Sequence, residues 1–489
     1  MRRFTPNART TRRGLPALAA LPALAAACAP VDRLPLFAGR PPTVRVAAFV
    51  SQETNVSYGT ERAPIELQRA ANALNEQSPG YHLRVDFMLL PPRPTPVAGA
   101  SPPVGPTPTP FVASAVTMEH ALSGGELAAG APPPDLLLVA PAFELAYLLE
   151  RKLVQPFDDA LRIDRLIKLD EFAPGALDAV RARGRLAGLP LSGSVSVLMY
   201  DRELFSAGGV ARPDKEWTWG ALVEAGRRLT QAPGGPLPEQ WGIIAHTSTA
   251  LLASLIWSHG GEFVARDGKR AALADPPARE AIGLWADLLL RYRIAPRPAP
   301  GGRLNWGFSF DGISLSTEAG NAFGPGGTPR TRVAMTVGSP PAVSMSPAPQ
   351  NPILLGAPLP RGARGQRATQ LTLNAALALS ARAQDPRLAV RAAVALADRL
   401  ADAPLVRFGY PVRRADAAQL RRALPQLPEE DAALLADALG YSRGVPLELT
   451  TRLSGTLTAS VMNPVLSGEA TPDEAARAGA AALDDLLRA

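Results

Sequence analysis

Three segments near the head of the chain set the class of fold. Val44-Arg45-Val46-Ala47-Ala48-Phe49 is an apolar run of strand length. After Pro64, residues Leu67, Ala70, Ala71 and Leu74 share one helical face until Ser78-Pro79-Gly80 stops the helix, and residues 82–87 then alternate apolar with polar as a second strand. Strand, helix, strand is the opening of an α/β lobe. The grammar recurs: helix-forming residues 118–127 lead to Pro134-Asp135 and Leu136-Leu137-Leu138-Val139, an apolar run that suits a buried parallel strand. Helix starts are marked at Asp275-Pro276, ahead of Ile282, Trp285, Ala286 and Leu289, and at Thr471-Pro472-Asp473-Glu474, a capping box with proline at the first helical position. Between residues 303 and 362, rich in Gly, Pro and Ser, strand-like islands stand at 332–337 and 353–357. The expected fold class is α/β, with no repeat of fixed period.

A chain of 489 residues exceeds what one core holds, so at least two lobes are expected. Residues 91–110, with Pro-Thr-Pro repeats, cannot pack a core and read as an insertion of polyproline character within a lobe. The formal charge of +7 suggests an acidic partner until its position is considered. Arg2, Arg3, Arg9, Arg12 and Arg13 lie in residues 1–27, which hold no acid, so the rest carries only +2. That balance gives no support for nucleic-acid binding, which leaves a clustered basic footprint.

The single cysteine, Cys28, rules out a disulfide framework and a multi-cysteine zinc site. It ends a basic segment through Arg13, an apolar run over 15–27 too short to span a bilayer, and the small residues Ala25-Ala26-Ala27. Residues 1–27 therefore read as an export signal. Leu24-Ala25-Ala26-Ala27-Cys28 resembles a bacterial lipobox, with the leucine one place further from the cysteine than is usual, and implies lipidation of Cys28. Thr11-Arg12-Arg13-Gly14-Leu15 resembles the start of a twin-arginine signal. Residues 28–42 read as a proline-rich spacer from the anchor to a folded body that starts near Thr43.

Taken in order, later segments resemble the bacterial extracellular solute-binding proteins of the sugar-importer, maltose-binding type. The markers are Ser78-Pro79-Gly80-Tyr81-His82-Leu83-Arg84-Val85, Gly130 with Pro134-Asp135, and Gly188-Leu189-Pro190 followed by Val197-Leu198-Met199-Tyr200-Asp201-Arg202-Glu203-Leu204-Phe205. Trp217-Thr218-Trp219, Gly260-Gly261, Arg332-Val333-Ala334-Met335, Ala357-Pro358-Leu359-Pro360-Arg361-Gly362 and Leu466-Ser467-Gly468 follow in family order. The resemblance implies a periplasmic-binding-protein-like fold: two α/β lobes joined by a three-segment hinge, with a ligand cleft between them. Crossings are expected near residues 190, 300 and 368. This gives an N-terminal lobe of 43–190 and 301–368 and a C-terminal lobe of 191–300 and 369–489. It implies an extracytoplasmic receptor of an ABC importer, monomeric, lipid-anchored at the outer face of the cytoplasmic membrane, with membrane permease subunits as partners and a sugar or polyol as cargo. Two departures stand out: Asp201 replaces a common asparagine, and Thr336-Val337-Gly338-Ser339-Pro340-Pro341 lacks the aromatic ring many sugar binders carry.

Ligand contacts are expected from loops at the carboxyl ends of strands. Ser51, Glu53 and Tyr58 follow the first strand, and Ser192 and Ser194 flank the inferred hinge. Trp306 and Phe310, in an irregular glycine-containing stretch, offer a stacking platform; Tyr410 and Arg413 lie in a turn that resembles a cleft-lining family segment. Tyr200 and Trp257 are further candidates, although their apolar runs favour a place in the core. No Gly-x-Ser-x-Gly elbow, His-Glu-x-x-His or phosphate loop is present, and His82, His120, His246 and His259 lack ligand spacing. No catalytic residue, metal or cofactor is expected. Two other readings stay open: an exported carbohydrate-active lipoprotein enzyme with carboxylates from distant loops, and a tethered structural lipoprotein with a degenerate cleft.

Overall fold

The first described strand opens at Thr43, directly after Pro41-Pro42. The computed structural model describes residues 41–488 apart from 52–61, 78–79, 91–118, 120–121, 123–131, 140–141, 160, 162–166, 232–239, 246–248, 297–304, 310–311, 317–330, 339–353, 404–408, 414, 426 and 451. Contacts divide the chain at residue 42, and the unit described below is Thr43–Ala489. The export signal, Cys28 and the insertion 91–110 lie outside the described residues.

The opening follows the expected order: β1 (Thr43–Ser51), a helix Arg62–Glu76, β2 (His82–Leu90), β3 (Leu136–Val139) and a helix Ala142–Glu150. Leu67, Ala70, Ala71 and Leu74 are buried, as the helical spacing requires, and so are all four residues of β3. Burying a leucine such as Leu67 or Leu137 contributes about 2 kcal/mol. Three two-residue strands, β4 (Val154–Gln155), β5 (Arg181–Ala182) and β6 (Arg185–Leu186), precede β7 (Gly188–Val195). After them come β8 (Val197–Asp201), β9 (Gln240–Ile243), β10 (Asn305–Ser309), β11 (Gly312–Ser316), β12 (Thr331–Gly338) and β13 (Leu354–Ala357). The last strands are β14 (Thr369–Ser380), β15 (Tyr410–Pro411) and β16 (Ser442–Gly444), and a helix Pro472–Arg488 ends the described chain.

Two large sheets result. The first has the order β15-β7-β14-β3-β1-β2, with β4 and β16 also paired to β14. The second has the order β10-β11-β12-β8-β13, with β9 beside β12. Asp135, the aspartate of the Pro134-Asp135 step, ties the first sheet together. It is buried, and its carboxylate accepts from Arg45 N at 3.0 Å and Gln384 N at 2.9 Å. Each sheet has its own apolar core, and β8 joins the two. Val197 and Met199 pack in the first core, Leu198 and Tyr200 in the second, because successive strand residues face opposite sides.

The two lobes draw on different segments from those expected. β10, β11, β12 and β13 lie in the second sheet with β8, so 301–368 does not join the N-terminal lobe; β14, β15 and β16 lie in the first, so 369–444 does not join the C-terminal lobe. The chain changes sheet between Val195 and Val197 and between Ala357 and Thr369. A third change falls over residues 445–453, where Val445, Leu449 and Leu453 enter the second core while Leu447 stays in the first, and among the described residues none falls near residue 300. Strand patterning marks a segment as a strand but leaves its partner open, since backbone hydrogen bonds are alike in every pairing.

Candidate functional site

The site follows from strand direction. β1 is parallel to β2 and β3, while β14 is antiparallel to both β3 and β7, so β7 runs with β1–β3. β3 ends opposite Ala376, yet β14 starts at Thr369. β14 and β7 thus project beyond the carboxyl edge of the sheet by about 20 Å at the rise of an extended strand. In the second sheet β8 enters antiparallel to β12 and β13, with Val197 opposite Gly338 and Leu198 opposite Ala357, and β9 is parallel to β12. The carboxyl ends of β9, β12 and β13 therefore lie beside the start of β8, one residue beyond the end of β7. The carboxyl ends of both sheets converge where the chain crosses, the place at which open α/β sheets bind ligands.

Two of the crossing segments are bonded to each other. Thr369 Oγ1 donates to Ser196 O at 2.5 Å, and Ser196 N donates to Gln370 O at 3.3 Å. Helices Arg62–Glu76, Ala142–Glu150 and Thr249–Ser258 follow β1, β3 and β9, so their amino ends face the same region. Three buried hydroxyls near it, Ser192 Oγ on β7, Thr336 Oγ1 on β12 and the Tyr410 hydroxyl on β15, have no hydrogen-bond partner among the described residues.

The comparisons fit this topology. A family model described as bacterial extracellular solute-binding protein matches residues 124–396, more than half of the chain. The chain belongs to that family. A solute-binding relative from Sinorhizobium fredii, "Probable amino-acid ABC transporter periplasmic-binding protein y4oP", is 29% identical over 154 residues. That match covers 31% of this chain and 33% of the relative, so the chain spans about a third of that protein's length. Among solved structures, the cyclic alpha-maltosyl-1,6-maltose binding protein of Arthrobacter globiformis superposes with a TM-score of 0.64 at 18% identity, covering 92% of this chain and 99% of that one. The sugar-binding protein MalE of Xanthomonas citri gives 0.63 at 17%, covering 91% and 97%. At these identities the likeness establishes the solute-binding fold.

Within that fold the sequence candidates separate into groups. Ser51 closes β1 at the converging edge, and Trp306 lies in β10 opposite Leu315. Glu53, Tyr58 and Phe310 lie outside the described residues. Ser192, Ser194 and Tyr410 come together on the projecting strands, with Tyr410 opposite Gly193, and Ser194 Oγ reaches Asn374 Oδ1 at 3.4 Å.

Four candidates are engaged in packing. Tyr410 is fully buried, and that burial, aided by Asp431, pushes its phenol well above the usual value. Arg413 is 6% exposed, pairs with Glu171 and Asp398, and lies over the Phe172 ring, so its donors are taken. Tyr200 packs on Phe205 with centroids 5.0 Å apart, and its phenol is raised, chiefly by burial. Trp257 meets Phe263 edge-on at 5.3 Å. The apolar runs around Tyr200 and Trp257 favoured this packing, whereas the turn of Tyr410 and Arg413 resembled a cleft segment in sequence and its burial sets it apart.

An open pocket beside Arg202, Phe205 and Arg212 lies at the carboxyl end of β8, away from the crossing edge, because β8 runs antiparallel in its sheet. Among the described residues no group of His, Cys, Asp and Glu is arranged to hold a metal ion. Sequence reasoning missed Thr369 and a cluster of Asp178, Glu262 and Arg443, whose partners stand about 80 to 270 positions apart and leave no local signature.

Proposed function

We propose that the protein is the extracytoplasmic receptor of an ATP-driven importer, capturing a carbohydrate or polyol between its lobes and presenting the closed form to a membrane permease. The observation that carries this reading is the convergence of the carboxyl ends of both sheets at the crossings, which puts one ligand in reach of two bodies joined by a hinge. A ligand touching both lobes prefers the closed form and shifts the balance toward it. Sugar cargo is supported by the neighbours from Arthrobacter globiformis and Xanthomonas citri, which are described as binding a cyclic maltosyl-maltose and sugar. The Sinorhizobium fredii relative supports an amino acid as a second reading.

Ser51, Glu53, Tyr58, Ser192 and Ser194 would then supply hydrogen bonds, and Trp306 and Phe310 a stacking face. Cys28 would carry the lipid that holds a monomeric body at the outer face of the cytoplasmic membrane. The receptor binds without turnover.

A thermal-shift screen of the purified protein tests the reading, with maltose, maltotriose, raffinose, polyols, glycerophosphodiesters, amino acids and short peptides as probes. A native-state ligand at 100 times its Kd adds about 2.7 kcal/mol of stability. The expected result is a midpoint rise with one sugar or polyol class and no product on chromatography. A rise with amino acids alone supports the second reading, product formation makes the protein an enzyme, and no rise leaves a degenerate cleft. Replacing Cys28 by Ser is expected to release the protein from membranes.

A further inference from the structure

We propose that Arg443 is the electrostatic pivot of the hinge, a positioning residue whose single side chain couples the two lobes. The inference rests on the hinge-closing reading above and deepens it.

The backbone of Arg443 belongs to the first lobe. β16 pairs with β14, Gly175 N donates to Ser442 Oγ at 3.3 Å, and Gly444 N donates to Asp178 Oδ2 at 3.4 Å. The approach of β16 to the helix Pro174–Ala179 is close enough that a Cβ on Gly444 would stand 2.2 Å from Gly175 O. The side chain leaves that lobe. Its Nη1 and Nη2 donate to Glu262 Oε1 and Oε2 at 3.3 and 2.9 Å, and the guanidinium carbon sits 5.4 Å from the ring centroid of Trp257.

Glu262 and Trp257 are fixed in the second lobe. Trp257 packs in its core, and the turn before Glu262 is held by Gly261 N donating to Ile256 O at 2.8 Å. Gly261 also lies against the Ala278 backbone, 2.9 Å from where its Cβ would be. The third crossing lies in the segment that follows Gly444, where Val445 and Leu449 pack in the second core and Leu447 still packs in the first. One lobe cannot turn on the other at this point without moving the two-pronged ion pair, the arene contact, or both.

The cluster has an asymmetry. Asp178 Oδ2 lies 4.0 Å from Arg443 Nε, so the guanidinium stands between a first-lobe and a second-lobe carboxylate. Removing Glu262 leaves Arg443 with Asp178. Removing Arg443 leaves two carboxylates facing each other across the lobe junction, and these repel. Arg443 is 39% and Glu262 31% exposed at the side chain, so the pair is open to salt. Its effect on the lobe equilibrium is a change of about threefold to tenfold.

The test uses the full chain with Cys28→Ser and spin labels on cysteines at Arg69 and Glu224, exposed positions on a first-lobe and a second-lobe helix. Double electron–electron resonance without any ligand reads the interlobe distance distribution. Glu262→Gln is expected to broaden it, Arg443→Met to broaden and shift it further, Arg443→Lys to fall between wild type and Arg443→Met, and 1 M NaCl to move wild type toward Glu262→Gln. Circular dichroism confirms that each variant is folded, and Arg443→Lys decides the matter if Arg443→Met does not fold. Distributions equal to wild type in the folded variants and in salt overturn the proposal. Because no solute is added, that failure is separate from a failed thermal-shift screen, which would count against the receptor reading alone.

Discussion

Asp201 does two jobs with one buried carboxylate. Oδ1 accepts from Glu203 N at 2.9 Å and Leu204 N at 3.0 Å, capping the helix Arg202–Ala207, while Oδ2 accepts from Arg332 Nη2 at 2.7 Å. The departure from asparagine noted in the sequence thus has a structural reason in β12, since the arginine needs a charge opposite it. Asp201→Asn keeps the cap and loses the ion pair, and is expected to cost about 1 to 2 kcal/mol; Asp201→Ala loses both, for about 3 to 5 kcal/mol. Urea unfolding of the two variants checks this, and equal losses would mean that the ion pair alone matters. At the hinge, Thr369→Val removes the buried hydroxyl bond to Ser196 O and should lower stability by about 1 kcal/mol in the same assay.

At the scale of elements, helix starts show how far local sequence reaches. The predicted capping box forms: Thr471 N and Oγ1 donate to Glu474 Oε2 at 2.9 and 2.7 Å, and Glu474 N returns to Thr471 Oγ1 at 3.3 Å. The Thr471 N–H, then its hydroxyl, hold the Glu474 carboxyl below its usual range. A depressed folded pKa gives stability that is present above the unfolded value and lost as pH falls through the folded one. Glu474→Gln should therefore lower the thermal midpoint at pH 7 and match wild type in acid below the usual carboxylate range. Thr471→Ala should cost about 1 kcal/mol. Asp275-Pro276 carries a similar signal and the helix does start at Pro276, yet the Asp275 side chain makes no cap bond. It binds Arg270 instead, with both contacts at 3.0 Å. Local spacing located both helix starts; whether the carboxylate caps depends on which cation the fold brings beside it.

For the whole molecule, the crossings are where side-chain volume is most restricted. A Cβ on Gly444 would meet Gly175 O at 2.2 Å and Ala179 N at 2.6 Å, both backbone atoms that cannot turn aside. Gly444→Ala is expected to cost about 1 to 3 kcal/mol and to open the contact between β16 and the helix Pro174–Ala179, read by urea unfolding and by faster amide exchange at the neighbouring Ser442 and Arg443. Periodicity and length by themselves determined that the chain is α/β and where β1, β2, β3, β12, β13 and the capped helices lie, because each of these depends on neighbours within a few positions. Tertiary structure alone decided that β10–β13 join the second sheet and β14–β16 the first, that Tyr410 and Arg413 pack inside, and that Arg443 meets Glu262 from 181 positions away. The physical reason is that strand pairing uses backbone groups common to every residue, so partner and lobe are chosen by the global arrangement of apolar faces, which no local window contains.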